Sequence, residues 1–202
     1  MVRAVRVKSH WFKGGDTRDP GQVATAAAAI VWRTADSRVR SLRSARFEIA
    51  AGADYVNALV ELLCLMIVAA DRIAYRHDQG PWRERFVSAL TIRVGELLED
   101  SFNDLLGPLP DRSYRQRFVD RLNLRAAEYA QYAYGDSGPE FAFLRHFGLQ
   151  VAESMSDPDD QRWALDQAMT VEGPVCIEVL EKAMRGLLGL EPKPVKKREA
   201  GE

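Results

Sequence analysis

Apolar residues recur along most of this chain at steps of three and four, the spacing that keeps one face of a helix turned inward. The line Ala28, Val31, Ala35, Val39, Leu42, Ala45 and Ile49 predicts a first helix. It opens near residue 20, where Asp19-Pro20-Gly21-Gln22 supplies an N-cap, a proline at the first helical position and a glutamine at N3. Residues 50–77 are apolar around most of the helical circumference, which predicts a central helix buried by others on nearly all sides. This helix is also the element expected to be shared with a second subunit.

Gly80-Pro81 restarts the chain, and Trp82, Phe86, Leu90, Val94, Leu97, Ser101 and Leu105 form a third stripe that ends at Gly107-Pro108-Leu109-Pro110. Tyr114, Phe118, Leu122, Ala126, Tyr129 and Ala133 make a fourth, with five arginines between 112 and 125 placed mostly off the line. Ser137-Gly138-Pro139-Glu140 reads as a capping box with the serine as cap, opening a helix through Phe141, Leu144, Gly148, Val151 and Met155. Asp157-Pro158-Asp159-Asp160 opens another, with acids in the first turn where the helix dipole favours them. Glu172-Gly173-Pro174 is expected to interrupt it before residues 175–188 resume the helical spacing.

The elements add up to an all-α bundle of six or seven helices around the central apolar helix at about 50–77. Short connections make successive helices antiparallel neighbours. The organisation is an arm and turn at 1–19, with at most a short strand at 2–7, a single helical domain at 20–190, and a charged tail at 191–202. That tail has two prolines, a Lys196-Lys197-Arg198 cluster and little to bury, and disorder is expected there.

Composition narrows the class further. With 47% apolar and 28% charged residues among 202, and a net charge of -1, the chain is neither a polycation nor a disordered polyelectrolyte. The charge is unevenly spread: residues 1–46 hold ten Lys/Arg against three Asp/Glu, and residues 47–190 hold 14 against 23. The basic N-terminal part is therefore expected to pack on the acidic body of its own chain or of a partner. The longest apolar run, residues 55–70, contains Asn57 and Glu61 and falls short of a membrane span. With no apolar signal region near the N-terminus and only Cys64 and Cys176, both among aliphatic residues, a reducing cytoplasm and no membrane association are expected.

Candidate chemistry is sparse. A polar line on the central helix, Asp54, Asn57, Glu61, Cys64, Asp71 and Tyr75, holds one face. Its first three oxygen-bearing side chains, helped by Glu96 or Asp100 from another helix, could ligate a hard cation. The same line reads as the water-facing edge of a buried helix, and none of His10, His77 and His146 has an acid three positions before it, so neither a cofactor nor a divalent metal is expected. Asp71, directly after nine apolar residues, calls for a cationic partner such as Arg93 or Arg125. There is no Gly-x-Ser-x-Gly, and Gly14-Gly15 lacks the lysine and hydroxyl of a phosphate loop.

Two further groups suit recognition rather than catalysis. Arg33, Arg38, Arg40, Arg43 and Arg46 crowd 14 residues of the first helix, a basic patch that could meet nucleic-acid phosphates or an acidic protein surface. Tyr129, Tyr132, Tyr134, Phe141, Phe143 and Phe147 gather around one helix corner, as an apolar ligand pocket, as packing or as a dimer contact. The function read from these features is a non-catalytic homo-oligomer, expected as a homodimer through apolar helix faces, that engages an unidentified protein partner. The alternatives are a ligand- or metal-binding bundle using Asp54, Asn57 and Glu61, and nucleic-acid binding through Arg33, Arg40 and Arg43.

Overall fold

The computed structural model describes residues 18–44 and 53–190, with the side chains of Arg43, Ser44 and Ala53 left aside. The expected arm, Ala45, Arg46, Ile49 and the charged tail lie outside the described residues. Within them the chain forms α1 (Pro20–Ser44), α2 (Ala53–His77), α3 (Pro81–Leu106), α4 (Tyr114–Tyr129), α5 (Phe141–Glu153), α6 (Pro158–Gln167) and α7 (Gly173–Leu188). The all-α class is as the periodicity predicts. The one departure is a two-residue antiparallel ribbon, β1 (Tyr134–Gly135) and β2 (Gly138–Pro139).

Helix α1 starts where its cap was read. The Asp19 carboxylate accepts from the Gln22 amide at 2.8 Å, and Val31, Ala35, Val39 and Leu42 are all buried. Helix α2 is the central rod, buried at nearly every position from Ala58 to Ala70. It packs against α1, α3, α4, α5 and α7, so most of its apolar circumference is covered within the chain. The most extensive contact joins α1 to α3, two helices that are not consecutive in sequence.

Three local readings change. On α3 the buried apolar side chains are Trp82, Phe86, Leu90, Val94, Leu98 and Phe102, a strict step of four, while Leu105 is exposed. Four residues advance about 400° around a helix, so the buried line drifts and takes up Leu98 and Phe102 in place of Leu97 and Ser101. Ser137 does not cap α5: it sits in the ribbon turn, where Gly138 adopts φ +100° and opens a left-handed corner. Glu140 takes the N-cap position instead, its amide donating to the Ala133 carbonyl and its carboxylate accepting from the Ala133 amide at 2.8 Å.

Pro174 does not break the last helix either. A π turn, Ala168–Glu172, joins α6 to α7, and the Gly173 amide bonds back five residues to the Ala168 carbonyl. The widened turn absorbs the loss of one donor at Pro174. Glycine is needed on the neighbouring helix, because a Cβ at Gly148 would stand 2.7 Å from the Leu165 carbonyl oxygen. The far end of α7 is tied down by Arg18, whose guanidinium donates to the Gly186 and Leu187 carbonyls while its own carbonyl accepts from the Trp82 indole at 2.6 Å.

Candidate functional site

The inward face of α4 reads Tyr114, Phe118, Leu122, Arg125 and Tyr129, steps of four, four, three and four. The fourth position is an arginine rather than the exposed Ala126, and it determines the polar chemistry of the interior. Glu61, immediately before the nine-residue apolar run of α2, is 1% exposed and takes a two-pronged pair from Arg125, Nε to Oε2 at 2.7 Å and Nη2 to Oε1 at 2.9 Å. Arg121 donates to the same carboxylate at 2.9 Å from the rim. Two cations on one carboxylate would leave net charge in the interior, and Glu128 offsets it by accepting from Arg125 at 2.8 Å.

The chain of contacts continues into α5. His146 Nε2 lies 3.1 Å from the Glu128 carboxylate, edge-on to the Tyr129 ring and against Tyr132. Arg121, Glu61, Arg125, Glu128 and His146 thus form one connected polar path from α2 through α4 to α5. The Tyr129 hydroxyl, fully buried beside it, has no hydrogen-bond partner among the described residues. Arg72 of α2 fastens the other end of this region by donating to the Tyr129 carbonyl.

The electrostatics follow from burial and pairing. Burial resists ionisation of Glu128, but the Arg125 hydrogen bond and charge, with His146 behind them, hold its carboxyl below the usual glutamate range. Burial also works against the Arg125 cation, yet Glu61 and Glu128 hold its proton more firmly than usual. Burial pushes the Tyr129 phenol up, and the Glu61 charge adds to it. Cys64 rises for the same two reasons, and Cys176 is pushed up to about 12 by burial and the nearby Glu172.

Raised thiols give a direct expectation. In the folded protein at pH 8 neither Cys64 nor Cys176 should react with a thiol reagent on the timescale of seconds, whereas both should react at once in denaturant. The unfolded chain loses thiol protons from about pH 8.5 upward, while folded Cys176 keeps its proton to about pH 12. Its contribution is therefore fully present below the lower value and lost between the two. Urea midpoints measured across that window should fall with rising pH; rapid thiol labelling of the native protein would contradict the burial argument.

The residues expected to share a cation are not brought together. Glu61 is taken by two arginines, Asp54 accepts from the Ser156 amide and hydroxyl at 3.1 and 2.7 Å, and Asn57 is exposed. Glu96 pairs with Arg93 at 2.9 Å, and Asp100 is exposed. Among the described residues no group of three His, Cys, Asp or Glu gathers as a metal set. The line is therefore not a simple water-facing edge either, since Glu61 and Cys64 are buried in it. Asp71 pairs with Arg83, at 2.6 and 2.7 Å, rather than with Arg93 or Arg125. The reason is local: Gly80-Pro81 folds α3 back so that its first turn meets the end of α2.

The basic patch is partly spent. Arg33 is exposed, but Arg40 pairs with Asp36 at 3.0 Å and Arg38 reaches the buried Glu172 at 3.7 Å. The contact from Arg38 to Glu172 is an instance of the basic N-terminal part meeting the acidic body. The side chains of Arg43 and Arg46 lie outside the described residues. Asp36 also accepts from the Tyr55 hydroxyl at 2.6 Å, and burial together with that bond pushes the Tyr55 phenol up to about 12.

The aromatic corner is assembled as packing. Tyr129, Phe143 and Phe147 are fully buried, with Tyr129 and Phe143 rings 4.4 Å apart and Tyr134 edge-on to Phe143 at 5.5 Å. Tyr132 stays half-buried at the rim, and Phe141 turns outward. Sequence reasoning missed Arg121, Glu128 and His146 as members of a site, and it assigned Arg125 to another partner. The available signal was the step Leu122, Arg125, Tyr129, which fits the inward face better than Leu122, Ala126, Tyr129.

Fold and site together define an all-α helical protein with an ion-paired interior, and no described helix is long and apolar enough to cross a membrane. No protein-family model, curated protein or solved structure matches this chain.

Proposed function

We propose that this chain is a non-catalytic helical protein that works by association, first with a second copy of itself through exposed apolar helix faces and then with a protein partner. The observation that carries the reading is Trp163, a large apolar side chain left 70% exposed on the outer face of α6. Val171, about two turns further along the same helical run, is exposed as well. Tryptophan is the residue type most often found as an energetic anchor in interfaces. A net charge of -1 removes the mutual repulsion that would keep two copies apart. The groups that could otherwise do chemistry are engaged or enclosed: Glu61 is paired with two arginines, His146 with Glu128, and both thiols are buried.

Native mass spectrometry at micromolar concentration tests the reading in one spectrum. A dimer mass is expected, and a Trp163→Ser variant should dissociate at least about tenfold more readily, equivalent to about 1.4 kcal/mol. A monodisperse monomer, or a dimer indifferent to Trp163→Ser, would sink it. A retained metal or ligand mass would count against it, and salt-sensitive retention of a labelled oligonucleotide would support the arginine patch.

A further inference from the structure

A second region carries chemistry that the ion-paired interior does not use. Between the C-terminal ends of α2 and α7 lies an open cavity of about 310 Å³ lined by Ile73, Arg76, His77, Glu181, Arg185 and Leu190. That volume is at the lower end of the range for small-molecule sites. Its lining combines two apolar side chains, Ile73 and Leu190, with two guanidinium groups and one carboxylate.

Cations near helix C-termini are commonly explained as partners of the last carbonyls, but here several of those carbonyls already have other donors. The Leu190 amide donates to the Arg185 carbonyl, the Gly189 amide to the Gly186 carbonyl, and Arg18 donates to the Gly186 and Leu187 carbonyls. At α2 the Asp78 amide donates to the Ala74 carbonyl. The Arg185 guanidinium caps none of them: it has no hydrogen bond or ion pair among the described residues. Arg76 is only loosely neutralised: it donates to the Gly135 carbonyl at 3.0 Å, while its acidic neighbours Asp136 and Glu181 stand at 3.6 and 3.8 Å, outside hydrogen-bond reach. Glu181 is itself occupied by the Tyr134 hydroxyl at 3.3 Å.

We propose that this cavity binds a small organic monocarboxylate with an apolar body, its carboxylate held by Arg185 and Arg76 and its body against Ile73 and Leu190. Arg76 has two acids within 4 Å, Glu181 in the lining and the fully exposed Asp136 outside it, so Arg185 is the cation left for the ligand, which one carboxylate satisfies and a dianion overshoots. Arginine's paired donors suit a carboxylate fork. The apolar wall distinguishes such a ligand from a free inorganic anion. His77, its ring edge-on to Trp82, completes the lining.

The test is a titration of the isotope-labelled protein followed by amide NMR, with hexanoate, hexanamide and inorganic phosphate as probes. Hexanoate is expected to shift the amides of Ile73, His77 and Arg185 at millimolar concentration, hexanamide to bind at least about tenfold more weakly, and phosphate not to bind. Arg185→Gln is expected to weaken hexanoate about tenfold while the far-ultraviolet spectrum and thermal midpoint stay those of the parent. The proposal is overturned if hexanoate shifts nothing at these amides, if hexanamide binds equally well, if phosphate binds in its place, or if a folded Arg185→Gln protein binds hexanoate unchanged. None of these readouts depends on the oligomeric state, so the outcome is separate from that of the association reading.

Discussion

Replacing Glu61 with alanine should destabilise the protein by about 3–5 kcal/mol, the cost of breaking a buried ion pair from one side. Arg125 is 5% exposed and directs two of its donors at Glu61, so truncation leaves a guanidinium in the interior with Glu128 as its remaining acid. Arg121 loses its partner too, but its more exposed side chain can turn to water. Against a typical total stability of 5–15 kcal/mol this is a large fraction. Urea denaturation gives the measurement: the midpoint should drop sharply with little change in slope.

The companion experiment separates the pair from its parts. A double variant, Glu61→Leu with Arg125→Met, removes both charges and fills similar volume, and it should recover most of the loss because a buried pair is worth little more than a well-packed apolar substitute. A Glu61→Ala protein within about 1 kcal/mol of the parent would show that Arg125 does not depend on this carboxylate. Acid should act in the same direction through Glu128. Its folded pKa is lowered, so its contribution is present above the unfolded value of about 4.3 and is lost as pH falls through the lower folded value.

The second large effect is expected at Phe143. Truncation to alanine should cost about 3–5 kcal/mol, the range for deleting a buried aromatic ring. Phe143 is fully buried, packs its ring at a tilt 4.4 Å from that of Tyr129 and lies edge-on to Tyr134. Its loss opens a cavity at the point where α4, the ribbon and α5 converge, and Tyr129 is held there by its ring and the Arg72 bond to its carbonyl, since its hydroxyl has no bond among the described residues. Near-ultraviolet circular dichroism should therefore lose tyrosine signal along with stability. Phe141, two residues earlier and 68% exposed, provides the control. Phe141→Ala should stay within about 0.5 kcal/mol of the parent, and equal losses at the two positions would contradict the assignment of faces.

Most of the helices could be read from the residues, because their signals are local. The Asp19 cap, the Asp157 cap, the stops at Gly107 and Gly189, and the all-round apolar character of α2 need only a few neighbouring side chains to be interpreted. The misread junctions involve partners a turn or more away. Ser137 resembles a cap until Gly138 takes a positive φ and the ribbon forms, and Pro174 resembles a break until the π turn reassigns the Gly173 amide.

The site was harder to read for a related reason. Asp71 announces that it needs a cation, but nothing in the spacing says whether Arg83, Arg93 or Arg125 will reach it. The Gly80-Pro81 turn brings Arg83 there first. Glu61 looked like one of several oxygens on a polar line, and only the packing of α4 on α2 makes it the anchor of two arginines 60 and 64 residues away. Periodicity and desolvation make the helical class, most helix boundaries, the burial of both thiols and the need of each buried charge for a partner legible in the residues themselves. The tertiary structure alone decided which charges meet, that α1 lies chiefly on α3, and that α2 is enclosed by its own chain. A pairing depends on where helices cross, and the crossing is set by the fit of whole faces rather than by any short run of residues.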